Sequence, residues 1–384
     1  MPRTSEQIRH DVTALLLESM MEGKIPWRRP WANSTNTGSP CNFQSGRRYT
    51  GINPIILMIN SMVRGLSSQN WGSVPAWMKT VGAQVKKDEK ATWIVFYNMF
   101  PKKDSTGKVL KNNDGKDVMI PFLKEYPIFN AEQMQAPTVN TLLDGRCGAG
   151  RQSVVKNLLH SKSPKPRLNA TTLPELQAIA SMYVPKYKPS EHQTREDLAE
   201  KIQDAIKAKL QKYLPGKVVK NKDPNFGPAE DFIAATKAVI NYGGERAFYS
   251  PSTDEIGSPI KSAFDSITDY YETILHELIH RQVAHNKWKF EYAFEELVAE
   301  IGSCLLLVEL NVPMADKMLA PSAAYLSAWL ALMGNNVKFI FDAASIAGKC
   351  VTQLLSQTQM NVLPEEISEG ISETPHEVGH SSSC

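Results

Sequence analysis

The run His276-Glu277-Leu278-Ile279-His280 sets two imidazoles four residues apart, with a carboxylate beside the first. On a helix, residues four apart share a face. Both rings then reach one divalent ion, and Glu277 keeps a free carboxylate next to it. Two neutral imidazoles hold the metal, an open position keeps a water, and the carboxylate takes the water's proton during attack. The chemistry this spacing points to is metal-assisted hydrolysis.

The run needs a helix, and its surroundings predict one. Ser266 followed by Asp269 has capping-box spacing. Ile267, Tyr270, Tyr271, Ile274, Leu275, Leu278 and Val283 mark a helical apolar stripe. A second helical pattern runs from about Glu291 to Leu310, before Asn311 and Pro313 end it. Glu296 and Glu300 share a face of that helix. Glu296 is the expected third metal ligand, and Glu300 is expected to orient a liganding His from outside. Glu295 is the alternative third ligand, because helix phase read from sequence is uncertain by a residue. Zn²⁺ is the expected ion for two imidazoles and a carboxylate, with Mn²⁺ or another divalent metal as alternatives. A second copy of the motif, His376-Glu377-Val378-Gly379-His380, has none of this context. It follows Pro375, holds a Gly and has no apolar stripe, so it reads as a chance match in a mobile acidic, Ser-rich tail.

Charge is unevenly spread. Residues 1–141 hold 18 Lys and Arg against 11 Asp and Glu; residues 142–226 hold 16 against 8; residues 227–384 hold 9 against 21. The basic first two-thirds suits a polyanion, and the acidic last third argues against DNA lying broadly across it. Five of the seven Trp residues precede residue 94. Trp27, Trp31 and Tyr49, interleaved with Arg28, Arg29, Arg47, Arg48, Lys86, Lys87 and Lys90, suit single strands, where bases stack on rings and cations follow phosphates. Trp93 to Tyr97 reads instead as a buried strand.

Several ordered motifs resemble the ArdC-type antirestriction proteins of plasmids and phages. They are Trp27-x-x-Pro30-Trp31, Pro40-x-Asn42, Ser45-Gly46-Arg47-x-Tyr49-x-Gly51-Ile52-Asn53, Phe129-Asn130-x-x-Gln133, the run Gly243 to Pro251, the stretch Tyr270 to His280, and Tyr292-Ala293-x-Glu295-Glu296 through Glu300. The resemblance covers about residues 5–135 and 226–358. It implies an N-terminal single-stranded-DNA-binding domain, with Asn42 and Asn53 among its binding residues. It also implies a zincin-like domain of the SprT and Spartan kind, and a role in shielding incoming DNA from host restriction. The expected enzyme is a zinc-dependent metallopeptidase of gluzincin type with Glu277 catalytic and a host protein as its possible substrate.

The expected fold class is α+β in two domains: a small α/β domain at 1–137, and a mainly α zincin-like domain at 226–360. Residues 138–168 read as a linker, 169–215 as a helical insert loosely resembling a SAP-type DNA-binding module, and 361–384 as the tail. Residues 102–117 read as a mobile hairpin loop, and Ala247 to Ser250 as an edge strand beside the cleft. No run of 18 apolar residues is present, so no transmembrane helix is expected. Five scattered cysteines point to a reducing cytoplasm, which the resemblance implies is that of a host or recipient bacterial cell. Two alternatives stand beside the peptidase reading: a DNA-binding shield with a structural metal domain, and a primase-associated plasmid protein.

Overall fold

The computed structural model describes residues 4–143, 172–312 and 323–358, apart from gaps at 23–26, 28–37, 103, 105, 113–114, 190–192 and 216–225. The fold class is α+β, with an α/β N-terminal domain and a mainly helical C-terminal domain.

The chain opens with helix α1, Ser5–Met21, whose first turn is closed by a capping box between Thr4 and Gln7. Helix α2, Asn53–Arg64, starts with Pro54 in its first turn and stops at Gly65, whose left-handed φ of 66° suits a residue without a Cβ. Helix α3 spans Val74–Thr80. The main sheet has the order β1-β2-β5-β4. Its strands are β1 (Cys41–Asn42), β2 (Asn70–Gly72), β4 (Thr92–Pro101) and β5 (Met119–Asn130). A small antiparallel pair joins β3, Gln84–Val85, to β6, Met134–Gln135.

β4 and β5 form a long antiparallel hairpin that pairs Thr92 with Ile128 at its base and Pro101 with Met119 near its tip. Main-chain hydrogen bonds tie the tip, within the span that reads as a mobile loop, to itself. Lys102 N–H donates to Val118 C=O, Val118 N–H to Leu110 C=O, and Leu110 N–H to Lys102 C=O, at 2.7, 2.8 and 2.8 Å. This closed ring splits the stem into two tight turns. Trp93 is also exposed, at 48%, where a buried strand residue was expected. It sits at the end of a face that is covered only further along, at Val95 and Leu123.

The helices Leu173–Tyr183 and Arg195–Gln211 each begin with a capping box, at Thr172 and Thr194. Their buried residues, including Leu176, Tyr183, Ile202 and Ile206, pack in one cluster with Trp77, Val81 and Met134. Tyr183 O–H donates to Met78 C=O, and Gln203 donates to Pro137 C=O. The insert's apolar faces are therefore spent on the N-terminal domain.

In the C-terminal part, helix Gly227–Ala235 precedes a sheet of order β7-β9-β8. β7 (Val239–Tyr242) runs parallel to β9 (Glu255–Ser258), and β8 (Phe248–Ser250) is the antiparallel edge strand. The motif helix, Ile267–His285, begins at Ser266, whose hydroxyl accepts from Asp269 N–H and donates to the Asp269 carboxylate. The carboxylate helix, Tyr292–Glu309, packs on it, and helices Ala323–Asn335 and Phe339–Gln357 complete the bundle. Gly302 is where the two long helices meet. A Cβ there would stand 2.8 Å from the Ile279 side chain, so any larger residue would force Ile279 to shift.

The two halves share one hydrophobic core. α1, Trp27, α2, Val95 and Leu123 belong to the same buried cluster as the motif and carboxylate helices. Gly302→Val should cost about 1–3 kcal/mol by overpacking, seen as a lower urea midpoint. It should also weaken metal binding, because the helices that carry the site are pushed apart.

Candidate metal centre

His276 and His280 rise from successive turns of the motif helix, and Glu296 faces them from the first turns of the carboxylate helix. The two Nε2 atoms lie 3.2 Å apart. Glu296 places one oxygen 3.5 Å from His276 Nε2 and the other 3.7 Å from His280 Nε2. One ligand atom from each residue lies within 4.8 Å of the others. Zinc bonds near 2.0–2.2 Å at tetrahedral angles set ligand atoms roughly 3.4 Å apart. The donors present therefore fit one small divalent ion, and two imidazoles with a carboxylate are the donor set such an ion takes.

The surrounding contacts orient the rings. His280 Nδ1 is 2.8 Å from Glu295 Oε1, which leaves Nε2 to face the site. Glu295, weighed from sequence as an alternative ligand, thus sits behind the ring rather than in the trio. Glu300 is buried further along the same helix, and its charge bears on His276. Burial alone would lower the His276 pKa, but the hydrogen bond to Glu296 and the charges of Glu277, Glu300 and Glu296 raise it. Burial likewise pushes Glu296 up, yet its hydrogen bond to His276 and the charges of both histidines carry it below its ordinary value. Tyr292, one turn before Glu296, also bonds that carboxylate. Sequence reasoning quoted Tyr292 in a motif and gave it no role; its i, i+4 spacing to Glu296 was the available signal.

Glu277 is buried. Burial raises its pKa, while His276 and His280 and a hydrogen bond from the Tyr249 backbone N–H pull it down; the net shift is upward. That bond ties the carboxylate to edge strand β8.

A second cluster fixes β8 against the motif helix. Asp254, in the turn between β8 and β9, accepts from Arg281 Nε and Nη2, both at 2.9 Å, and from the Tyr249 hydroxyl at 3.1 Å. His285 Nε2 lies 2.8 Å away. Nothing in the sequence spacing announced this group.

Among the described residues, those expected to bind DNA do not all face solvent. Trp27 is fully buried, edge-on to Trp329 with centroids 6.2 Å apart, inside the core shared by both domains. It cannot stack on a base there. Tyr49 is buried too. Arg48 is paired at 2.7 Å with Glu309 at the end of the carboxylate helix, so it joins the domains instead of facing a phosphate. Asn53 grips the β4 backbone, accepting from Val95 N–H and donating to Val95 C=O, both at 2.8 Å. Asn42 accepts from the Gln44 and Ser45 N–H groups and shapes its own turn. Lys86 donates to Glu132 C=O, while Lys87 and Lys90 are exposed and Arg47 is partly so. Arg28, Arg29 and Trp31 lie outside the described residues, as do the second histidine motif and most of the expected linker.

Comparison with known proteins agrees with this geometry. Residues 6–129 match a family described as the N-terminal domain of anti-restriction factor ArdC. Residues 227–346 match a zincin-like metallopeptidase family. The metal-free crystal structure of antirestriction protein ArdC from plasmid R388 superposes with a TM-score of 0.57, at 25% identity, over 91% of this chain and 97% of that one. The chain joins an ArdC-type N-terminal domain to a zincin-like metallopeptidase domain. The Mn(II)-bound structure of that ArdC protein matches with a TM-score of 0.55 at 24% identity, covering 92% of this chain and 98% of that one. Among curated relatives, a DNA primase TraC of Escherichia coli is 29% identical over 92% of this chain, and a second TraC primase is 27% identical over 97%. The chain spans only 20% and 29% of those two proteins. An uncharacterized protein, y4eC, of Sinorhizobium fredii is 22% identical over 90% of this chain and 91% of its own length. Among the described residues, no helix is long and apolar enough to cross a membrane.

Two outcomes follow. Glu295→Gln should weaken metal binding about 10–100-fold by releasing the His280 ring, read by calorimetric titration with Zn²⁺ and Mn²⁺. The hydrogen bonds from Arg281, ahead of the opposing effect of burial, hold the Asp254 pKa down at about 2. A carboxylate depressed in the folded state adds stability above its unfolded pKa, near 4, and loses it as pH falls toward 2. Asp254→Asn should therefore flatten the fall of the urea midpoint across that acid range.

Proposed function

We propose that this chain is an antirestriction protein of a mobile element. It binds single-stranded DNA through its N-terminal domain and carries a zinc-dependent peptidase site that helps protect incoming DNA from host restriction. The observation that supports the peptidase reading is the convergence of His276, His280 and Glu296 beside a buried Glu277. A purely structural metal site has no use for that fourth group.

In this reading His276, His280 and Glu296 hold the ion, with Glu295 behind His280 and Glu300 supporting His276 by its charge. When bound, the metal supplies Lewis acidity toward a peptide carbonyl and makes a water acidic enough to attack near neutral pH. Glu277 takes the proton of the attacking water and passes it to the leaving amine. Its raised pKa suits a group that must both accept and return a proton. β8 is the edge of its sheet beside Glu277, and an extended peptide can add there by main-chain hydrogen bonds, displacing the Tyr249 N–H bond to Glu277. The substrate class is a polypeptide in extended form, from a host protein or from the chain itself.

The alternative is a DNA-binding shield whose metal domain only braces the fold. The shared core favours a bracing role in addition to chemistry. The TraC relatives, named as DNA primases, fit work on DNA under either reading. Glu277→Gln separates the two. Protection of unmodified DNA during transfer into a restricting host should fall to background, with metal content and oligonucleotide affinity unchanged. Full protection by this variant would leave the shield.

A further inference from the structure

The β4–β5 hairpin has one covered face and one open face. Val95 and Leu123 look inward to the shared core. The opposite face carries Ile94 paired with Tyr126, and Phe96 paired with Lys124. Ile94 is anchored at the base, against a cluster of Leu57, Trp71 and Ile128. Phe96 and Tyr126 meet edge to face, with centroids 6.1 Å apart. Lys124 is exposed and its Nζ lies 5.0 Å from the centre of the Tyr126 ring. Further out on the same face, Phe100 is 43% exposed.

The tip continues the same chemistry. Its two turns are built alike. In the first, Asp104 Oδ1 accepts from Thr106 N–H, Thr106 O–H and Lys108 N–H. In the second, Asn112 Oδ1 accepts from Lys116 N–H. Gly107 and Gly115 supply the left-handed residue in each, at φ 83° and 76°. Each turn thus ends by presenting an exposed lysine, Lys108 or Lys116. The Asp104 carboxylate is occupied inside its own turn. The main-chain ring at Lys102, Leu110 and Val118 fixes both turns relative to the stem.

We propose that this open face and forked tip are the surface on which single-stranded DNA lies. Bases stack on Tyr126 and Phe96, Lys124 stays close enough to pair with the adjoining phosphate, and Lys108 and Lys116 take phosphates further along the strand. Rings interleaved with cations on a fixed sheet are what a sequence-tolerant single-strand site needs. The charge of the partner follows from the exposed lysines, and its flat unpaired bases from the rings. The proposal rests on the reading that the N-terminal domain binds single-stranded DNA, and it assigns that binding to residues other than those the sequence motifs suggested.

The test uses the full chain and a fluorescein-labelled 20-mer oligothymidylate, read by anisotropy at about 50 and 200 mM salt. The double variant Lys108→Glu/Lys116→Glu changes only exposed turn residues. It should bind about tenfold more weakly at low salt, with a slope of log affinity against log salt shallower by one to two. Tyr126→Ala should also lose about tenfold, with the salt slope kept, because stacking releases no counterions. Tyr126→Phe should bind like the parent and serves as the folding control. If the parent binds and all these variants stay within twofold of it, the hairpin is not the site and the single-strand reading of the domain survives. If the parent itself fails to bind, or prefers duplex, that reading falls and the surface assignment falls with it. Unchanged binding would also leave the half-buried rings to a protein partner.

Discussion

The motif helix and the carboxylate helix pass each other at Ile279 and Gly302, and the spacing of that crossing sets the metal centre. Ile279 lies between Glu277 and His280 in the motif. Gly302 lies six residues beyond Glu296. A side chain at either face that widened the gap would move the carboxylate away from both rings together, since each helix is a stiff rod. The apolar packing on either side, with Leu275, Leu278, Leu297 and Ile301 all fully buried, holds the rods at this distance. Chemistry that needs ligand atoms within a few tenths of an ångström is thus set by a contact with no polar atom in it.

The same carboxylate helix reaches into the other half of the protein. Its last residue, Glu309, takes Arg48 and the Ser39 N–H, and Val308 C=O accepts from Gly38. One rigid element therefore bears the metal-facing carboxylate of Glu296 at one end and a clasp on the N-terminal domain at the other.

Much of this was legible in the residues, and the gaps have physical reasons. Four-residue spacing gave both histidines and the helix they ride on, and the paired acids pointed to the second helix. Choosing between Glu295 and Glu296 was beyond the sequence, since adjacent residues differ by only 100° around a helix. The structure turns Glu296 toward both Nε2 atoms and Glu295 toward an Nδ1. Trp27 and Arg48 were misread because rings interleaved with cations suit a surface, and a surface that a second domain covers has the same local signature. The hydrogen bonds at the hairpin tip were beyond the sequence, because main-chain bonds leave no trace in residue type. The Asp254 cluster joins residues 27 and 31 positions apart through tertiary folding, beyond the reach of any local period.

A core held in common has a bearing on descent. Had each half closed its own apolar surface, either could have been copied alone into a new gene. Here separation would strip α1, α2 and Trp27 of their cover and expose the backs of the long helices. The TraC relatives carry the match across 92% and 97% of this chain within much longer proteins. In both relatives the two halves occur together, as a core that neither can close alone requires.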